Sequence, residues 1–140
     1  MYKVAKEDKA DIVIGSRFIK RTNYKHSLFR RMGTALFQSI IKLVCEKKIT
    51  DPTSGLQVLK KNVYERYSKI SNYPEYPDAN LIIEMLLLGY KIKEVPVKMK
   101  ARENGVSMHS GILKPTKYMI EMFYNIIIIV IKNIGVKKVR

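Results

Sequence analysis

Cysteine occurs once in the 140 residues, at Cys45, and histidine only twice. A lone cysteine excludes an intramolecular disulfide framework. Together with two histidines it offers too few ligands of the usual types for a zinc site. Cys45 lies in an apolar helical pattern and reads as a small buried hydrophobe rather than a nucleophile. Acidic residues are also scarce, with 12 Asp and Glu against 27 Lys and Arg and a formal net charge of +15. That balance disfavours cationic partners and favours phosphates, nucleic acid or an anionic membrane surface. The first nine residues carry no apolar core of the kind a signal peptide needs, so a cytosolic start is expected. There is no low-complexity segment, linker or internal repeat. Apolar residues are plentiful at 46%, which argues against disorder and supplies one domain with a real core.

Ile12-Val13-Ile14 is a short β-branched run that predicts a buried strand. Gly15-Ser16-Arg17 closes it. Glycine lets backbone approach a ligand and arginine offers forked donors to phosphate oxygens, so the tripeptide reads either as a phosphate grip or as a strand ending in a solvated Arg. Residues 19–27 are polar and basic without periodicity and read as a loop. A long helix is expected over residues 27–47, with Leu28, Phe29, Met32, Leu36, Ile40, Leu43 and Val44 as its apolar stripe. Arg30, Arg31 and Thr34 fall near its start, Arg30 and Thr34 on one face. Basic residues there oppose the helix dipole, which points to an anionic ligand or to an ordinary solvated face.

Asp51-Pro52-Thr53-Ser54-Gly55 is a turn with an acid at its head. Pro52 fixes its own φ and pushes Asp51 from the helical region, while Gly55 permits conformations closed to other residues. Asp51 is thus presented at a rigid corner, either capping local backbone or serving a site. Leu56 to Lys60 reads as a short strand. Asn62 with Glu65 resembles a capping box that starts a helix running to about Ile70. Asp78 is a suitable N-cap for a largely buried helix over Ala79–Leu88, and Gly89 stops it. Lys91 to Met99 is a strand which Pro96 confines to an edge or a bulge. Residues 101–111 form a polar loop in which His109 reads as exposed.

The last helix, from Pro115 to about Ile134, is very apolar, with six consecutive apolar residues from Ile126 to Ile131. The stretch from Tyr118 to Ile131 contains Glu121 and falls short of the roughly 20 apolar residues a span requires. It fits a helix lying in the membrane interface, with Tyr118, Phe123 and Tyr124 at headgroup depth and the basic 137–140 end facing anionic lipid. A terminal helix packed on the core or on a partner is the other reading.

Five stretches in order resemble one family: residues 10–18 (ADIVIGSRF), Phe29-Arg30-Arg31, Asp51-Pro52-Thr53-Ser54-Gly55, residues 89–97 (GYKIKEVPV) and Arg102-x-x-Gly105-x-Ser107. Together they are similar to the second half of family 2 glycosyltransferases, nearest to those that glycosylate dolichyl or polyprenyl phosphate. The resemblance covers nearly the whole chain. It implies an α/β fold: a partial GT-A-type mixed sheet with flanking helices, ending in a C-terminal amphipathic helix at the membrane interface. Residues 1–112 would form the acceptor-side half of the GT-A domain and residues 113–140 the apolar, basic membrane-associating helix. The implied reaction moves a sugar, with inversion, from a nucleotide-sugar to a lipid phosphate at the cytoplasmic face of the membrane, where the protein would be peripheral.

On the same resemblance Arg17, Arg30 and Thr34 would hold the acceptor phosphate. Asp51 would be the catalytic carboxylate, as base or as the group that orients the acceptor. Arg102, Gly105 and Ser107 belong to a loop over the donor diphosphate. The family's first half binds the nucleotide and carries an Asp-x-Asp that ligates Mg²⁺ or Mn²⁺. Here the four aspartates are Asp8, Asp11, Asp51 and Asp78, so those metal ligands are absent from this chain. A truncated or split enzyme, inactive alone, is therefore expected, with a missing N-terminal half or a second copy of the chain as partner. The alternatives are a basic nucleic-acid-binding module and a non-catalytic membrane-surface scaffold. Charge and available Tyr and Phe suit the former, but the aromatics do not interleave with the basic clusters, and no nucleic acid is expected.

Overall fold

The computed structural model describes residues 1–7, 9–19, 28–69, 74–98 and 113–135. In these, a short helix α1 (Tyr2–Glu7) leads into β1 (Ile12–Ser16). Then follow α2 (Leu28–Cys45), β2 (Gln57–Leu59), α3 (Lys61–Ser68), α4 (Ala79–Leu87), β3 (Ile92–Pro96) and α5 (Leu113–Asn133). The fold is mixed α/β, with a small sheet in the order β2-β1-β3. β1 is central and buried along its whole length, which is why its sequence runs apolar without alternation. It pairs antiparallel with β2, with Val13 opposite Val58, and parallel with β3, with Gly15 opposite Val95. Pro96 ends an edge strand, the position its missing N–H allows.

Successive β1 side chains feed two cores. Ile12 and Ile14 join Phe37 and Ile41 of α2, Ile82, Ile83 and Met85 of α4, and Tyr118, Met122 and Ile126 of α5. Val13 points the other way, onto Ala5, Ala10, Val58 and Val95 under α1. At the far end of the sheet Asp11 ties the three strands together. Its carboxylate accepts from Lys60 Nζ at 3.3 Å and from the Lys91 N–H at 2.8 Å.

Three local expectations change in the folded chain. On α2 the inward face is Thr34, Phe37 and Ile41, with Ile40 and Val44 half-buried, whereas Met32, Leu36 and Leu43 of the expected stripe are exposed. The helix is apolar on more than one side, so periodicity alone could not say which side meets the sheet. Helix α3 is capped at Lys60, two residues before Asn62, and no side chain bonds the cap. The backbone leaves β2 directly into the helix, which removes the room for a capping box. Asp78 is the N-cap of α4 in position, but its side chain does not cap. Asn80 Oδ1 instead accepts from the N–H groups of Asp78 and Leu81, both at 2.9 Å. Gly89 stops α4 as expected: at φ 90° it donates to Leu86 O while Tyr90 N–H reaches back to Met85 O.

Helix α5 packs on α4 with one face. Tyr118, expected at headgroup depth, is buried in the main core. Its ring meets Phe37 edge-on at 6.1 Å and Tyr76 at 5.0 Å, and its hydroxyl donates to Asp78 Oδ2 at 3.1 Å. Burial and the nearby Asp78 carboxylate push that phenol well above its ordinary range. Burial likewise pushes the Cys45 thiol up to about 11, which keeps it protonated and inert at neutral pH. No described helix is long and apolar enough to cross a membrane.

The two sides of α2 should respond differently to truncation. Phe37, 1% exposed, loses packing to the whole main core, so Phe37→Ala should cost about 3–5 kcal/mol. Leu43, 84% exposed, should change stability by no more than about 0.5 kcal/mol on conversion to Ala. Urea midpoints of the two variants check this, and equal losses would mean that the helix is turned the other way.

Candidate functional site at the carboxyl end of the parallel strands

β1 and β3 run parallel and finish side by side, with Ser16 opposite Pro96 and the Val97 N–H donating to Ser16 O at 2.9 Å. In α/β sheets the space beyond such carboxyl ends is where ligands bind. The segment before β2 folds over this end. Pro52 occupies the second position of a turn closed by Ser54 N–H to Asp51 O at 3.3 Å, the position its fixed φ suits. Ser54 Oγ donates to Gly15 O at 2.7 Å and the Gly15 N–H donates to Leu56 O at 2.9 Å, stitching the turn to β1.

Arg17 and Asp51 meet here, 34 residues apart in sequence. Arg17 Nε donates to Asp51 Oδ2 and Nη2 to Asp51 Oδ1, both at 2.7 Å, and the Arg17 backbone N–H adds a third bond to Oδ2 at 3.0 Å. Nη2 also reaches Thr53, at 3.0 Å to Oγ1 and 3.3 Å to the carbonyl. Asp51 is fully buried. An isolated carboxylate there would lose several kcal/mol of hydration, and a bidentate partner with a backbone donor is the arrangement that offsets it. The pair is supported from β3. Glu94 Oε2 accepts from the Thr50 N–H at 2.8 Å, and Oε1 accepts from the Asp51 N–H at 2.9 Å and from Thr50 Oγ1 at 3.0 Å. Gln38 on α2 donates from Nε2 to Thr50 O at 2.6 Å.

The glycines play other parts than the sequence reading assigned. A Cβ on Gly15 would stand 2.9 Å from Val97 Cγ1 and 3.0 Å from Leu56 Cδ2. Gly15 therefore lets the turn and the end of β3 close upon β1; the close approach is to the chain itself. Gly55 has no left-handed φ and open space around its Cβ position. The corner is held by Arg17, Ser54 and Glu94, with no conformational demand on Gly55.

Of the residues expected to form a site, Arg17 and Asp51 are brought into direct contact. Thr34 is buried one helical turn before Gln38, on the side of α2 that meets the turn at Thr50. Arg30 falls in α2 one turn earlier still. Arg102, Gly105 and Ser107 lie outside the described residues, as do His109 and the basic 137–140 end. Thr50, Glu94 and Gln38 were not singled out as site residues from sequence, whereas Ser16 was read as part of the Gly15-Ser16-Arg17 grip. Glu94 left a faint signal: an acid in mid-strand, in a chain with few acids. Among the described residues no group of three His, Cys, Asp or Glu could hold a metal ion. Two cavities, of about 290 and 400 Å³, lie elsewhere, the first lined by Asn62, Arg66 and Tyr90 and the second running between α4 and α5.

Comparison of the chain with protein-family models, with curated proteins and with solved structures finds no match in any of the three.

Asp51→Asn removes the charge from the buried pair and takes the Asp51 counter-charge from the mostly buried guanidinium. A loss of about 3 kcal/mol is expected, read as a lowered urea midpoint at unchanged slope. A variant as stable as the parent would mean that the pair does not hold the corner.

Proposed function

We propose that this chain is the acceptor-binding half of an inverting glycosyltransferase of GT-A architecture, acting with a nucleotide-sugar donor and a polyprenyl phosphate acceptor at the cytoplasmic face of a membrane. The observation that carries the reading is convergence. Three of the five stretches in the resemblance centre on Arg17, on Asp51 34 residues later, and on Glu94 43 residues after that. They meet at one corner through direct hydrogen bonds, at the sheet end where α/β proteins bind ligands.

The geometry refines the role expected for Asp51. Both of its oxygens accept from Arg17. Asp51 therefore acts on the acceptor through Arg17, by fixing the plane and direction of the guanidinium. A lipid phosphate monoester needs little help from a base, since its second pKa is about 6 and it is largely ionised at neutral pH. Arg30 and Thr34, two turns and one turn before Gln38 on α2, complete the acceptor phosphate site in this reading, and the segment with Arg102, Gly105 and Ser107 serves the donor diphosphate. Among the described residues no cluster could hold the Mg²⁺ or Mn²⁺ of the family. No step is assigned to a metal on this chain.

The membrane side of the proposal rests on exposed apolar residues. On α5, Ile120, Tyr124, Ile127 and Ile131 form a ridge opposite the face buried against α4, and Met32, Leu36 and Leu43 project from α2. Exposed Arg31, Lys42, Lys117 and Lys132 stand on the same two helices. An apolar ridge with basic neighbours fits an anionic lipid surface better than bulk water.

Farnesyl phosphate, a short soluble stand-in for the acceptor, should bind the purified chain, and Arg17→Ala should weaken binding about ten- to a hundredfold. The chain by itself should transfer no sugar from a nucleotide-sugar. Absent farnesyl phosphate binding, or transfer by the chain alone, would overturn the half-enzyme reading.

Flotation with phosphatidylglycerol vesicles tests the membrane side. The double variant Ile127→Glu/Ile131→Glu should reduce binding by about tenfold or more, with the fold intact. Equal flotation of parent and variant would exclude the α5 ridge.

A further inference from the structure

We infer that Glu94, the mid-strand acid of β3, is the positioning residue of the phosphate grip: it sets Arg17 by gripping both sides of the Arg17–Asp51 pair. The inference rests on the acceptor reading for its ligand, but its geometry stands independently. On the Asp51 side, the two Glu94 oxygens accept from the consecutive N–H groups of Thr50 and Asp51, at 2.8 and 2.9 Å. These bonds fix the peptide from which the Asp51 carboxylate projects.

On the Arg17 side the link is a hydroxyl relay whose direction can be worked out. A carboxylate only accepts, so Thr50 Oγ1 spends its single proton on Glu94 Oε1 at 3.0 Å. The 2.6 Å contact between Ser16 Oγ and Thr50 Oγ1 therefore has Ser16 as donor. Ser16 Oγ in turn accepts from the Phe18 N–H at 3.2 Å. The relay thus runs from Phe18 N–H through Ser16 and Thr50 to Glu94, and its two upstream members flank Arg17. One carboxylate holds the backbone on either side of the arginine and the backbone bearing its counter-ion.

Only an ionised carboxylate serves all three donors. In Glu94→Gln one oxygen becomes an NH₂ that faces donors, so at least one grip is lost while size and shape are kept. A group that only packs would leave Arg17 and its ligand affinity untouched.

The test combines farnesyl phosphate titration with the Nε–H resonance of Arg17 in NMR spectra of the full chain. Glu94→Gln should weaken farnesyl phosphate binding about tenfold and move the Arg17 Nε–H signal. In an Asp51→Asn background the same change should add little, because the two residues act as one unit. Thr50→Val removes only the hydroxyl relay and retains both backbone grips. It should shift the Arg17 signal in the same direction by less, and it serves should Glu94→Gln fail to fold. Multiplying effects of Glu94→Gln and Asp51→Asn on binding, or an Arg17 signal unmoved by Glu94→Gln and Thr50→Val, would overturn the inference. If the parent chain binds no farnesyl phosphate, the acceptor reading fails, and the Arg17 signal alone still decides the positioning role.

Discussion

The buried pairing of Arg17 with Asp51 is the interaction on which the candidate site of this protein depends. A carboxylate with no solvent contact is tolerable only because a guanidinium meets it with two nitrogens and a backbone N–H supplies a third donor. That requirement fixes where the turn must lie. It brings the chain after α2 back over the end of β1, aligns β2 antiparallel beside it, and leaves the parallel edge to β3. Glu94 then enters from β3 and closes the arrangement. The corner thus gathers two acids, Asp51 against Arg17 and Glu94 on the backbone of Thr50 and Asp51, in a protein that is otherwise strongly basic.

The rest of the fold supplies a rigid platform for that corner. β1 is buried on both faces, with helices α2, α4 and α5 on one side and α1 on the other. Packing of Phe37 against Tyr118 joins α2 to α5, and the Tyr118 hydroxyl joins α5 to the cap of α4. α2 links the platform to the site through Gln38 and the Thr50 carbonyl. A helix that packs inward at Phe37 and Ile41 while showing Met32 and Leu43 outward joins the corner to an apolar exterior.

Much of the candidate site was legible before any coordinates. Asp51-Pro52-Thr53-Ser54-Gly55 announced a turn with an acid at its head, and Gly15-Ser16-Arg17 announced a strand end bearing an arginine. Their mutual contact was not legible, because nothing in either stretch encodes a partner 34 residues away. For the same reason Arg17 read as a phosphate donor or a solvated side chain, when it is bonded to Asp51. Gly55 was credited with a backbone conformation it does not adopt, since turn composition cannot separate conformational need from habit. Tyr118 was placed at a lipid surface because a helix apolar on nearly every side gives no preferred face to periodicity.

Composition and local pattern by themselves determined the class of elements: a β-branched run too short for a helix, helices bounded at Asp78 and Gly89, an edge strand marked by Pro96, and a charge balance suited to anions. These follow from steric and hydrogen-bonding rules acting over a few residues. Only the tertiary structure decided which face of α2 and α5 is core, which acid is buried, and that Glu94 and Thr50 belong to the site. Those outcomes depend on desolvation and on partners distant in sequence. Burial turns Asp51 from an exposed acid at a corner into one half of an ion pair, and that pair aims Arg17.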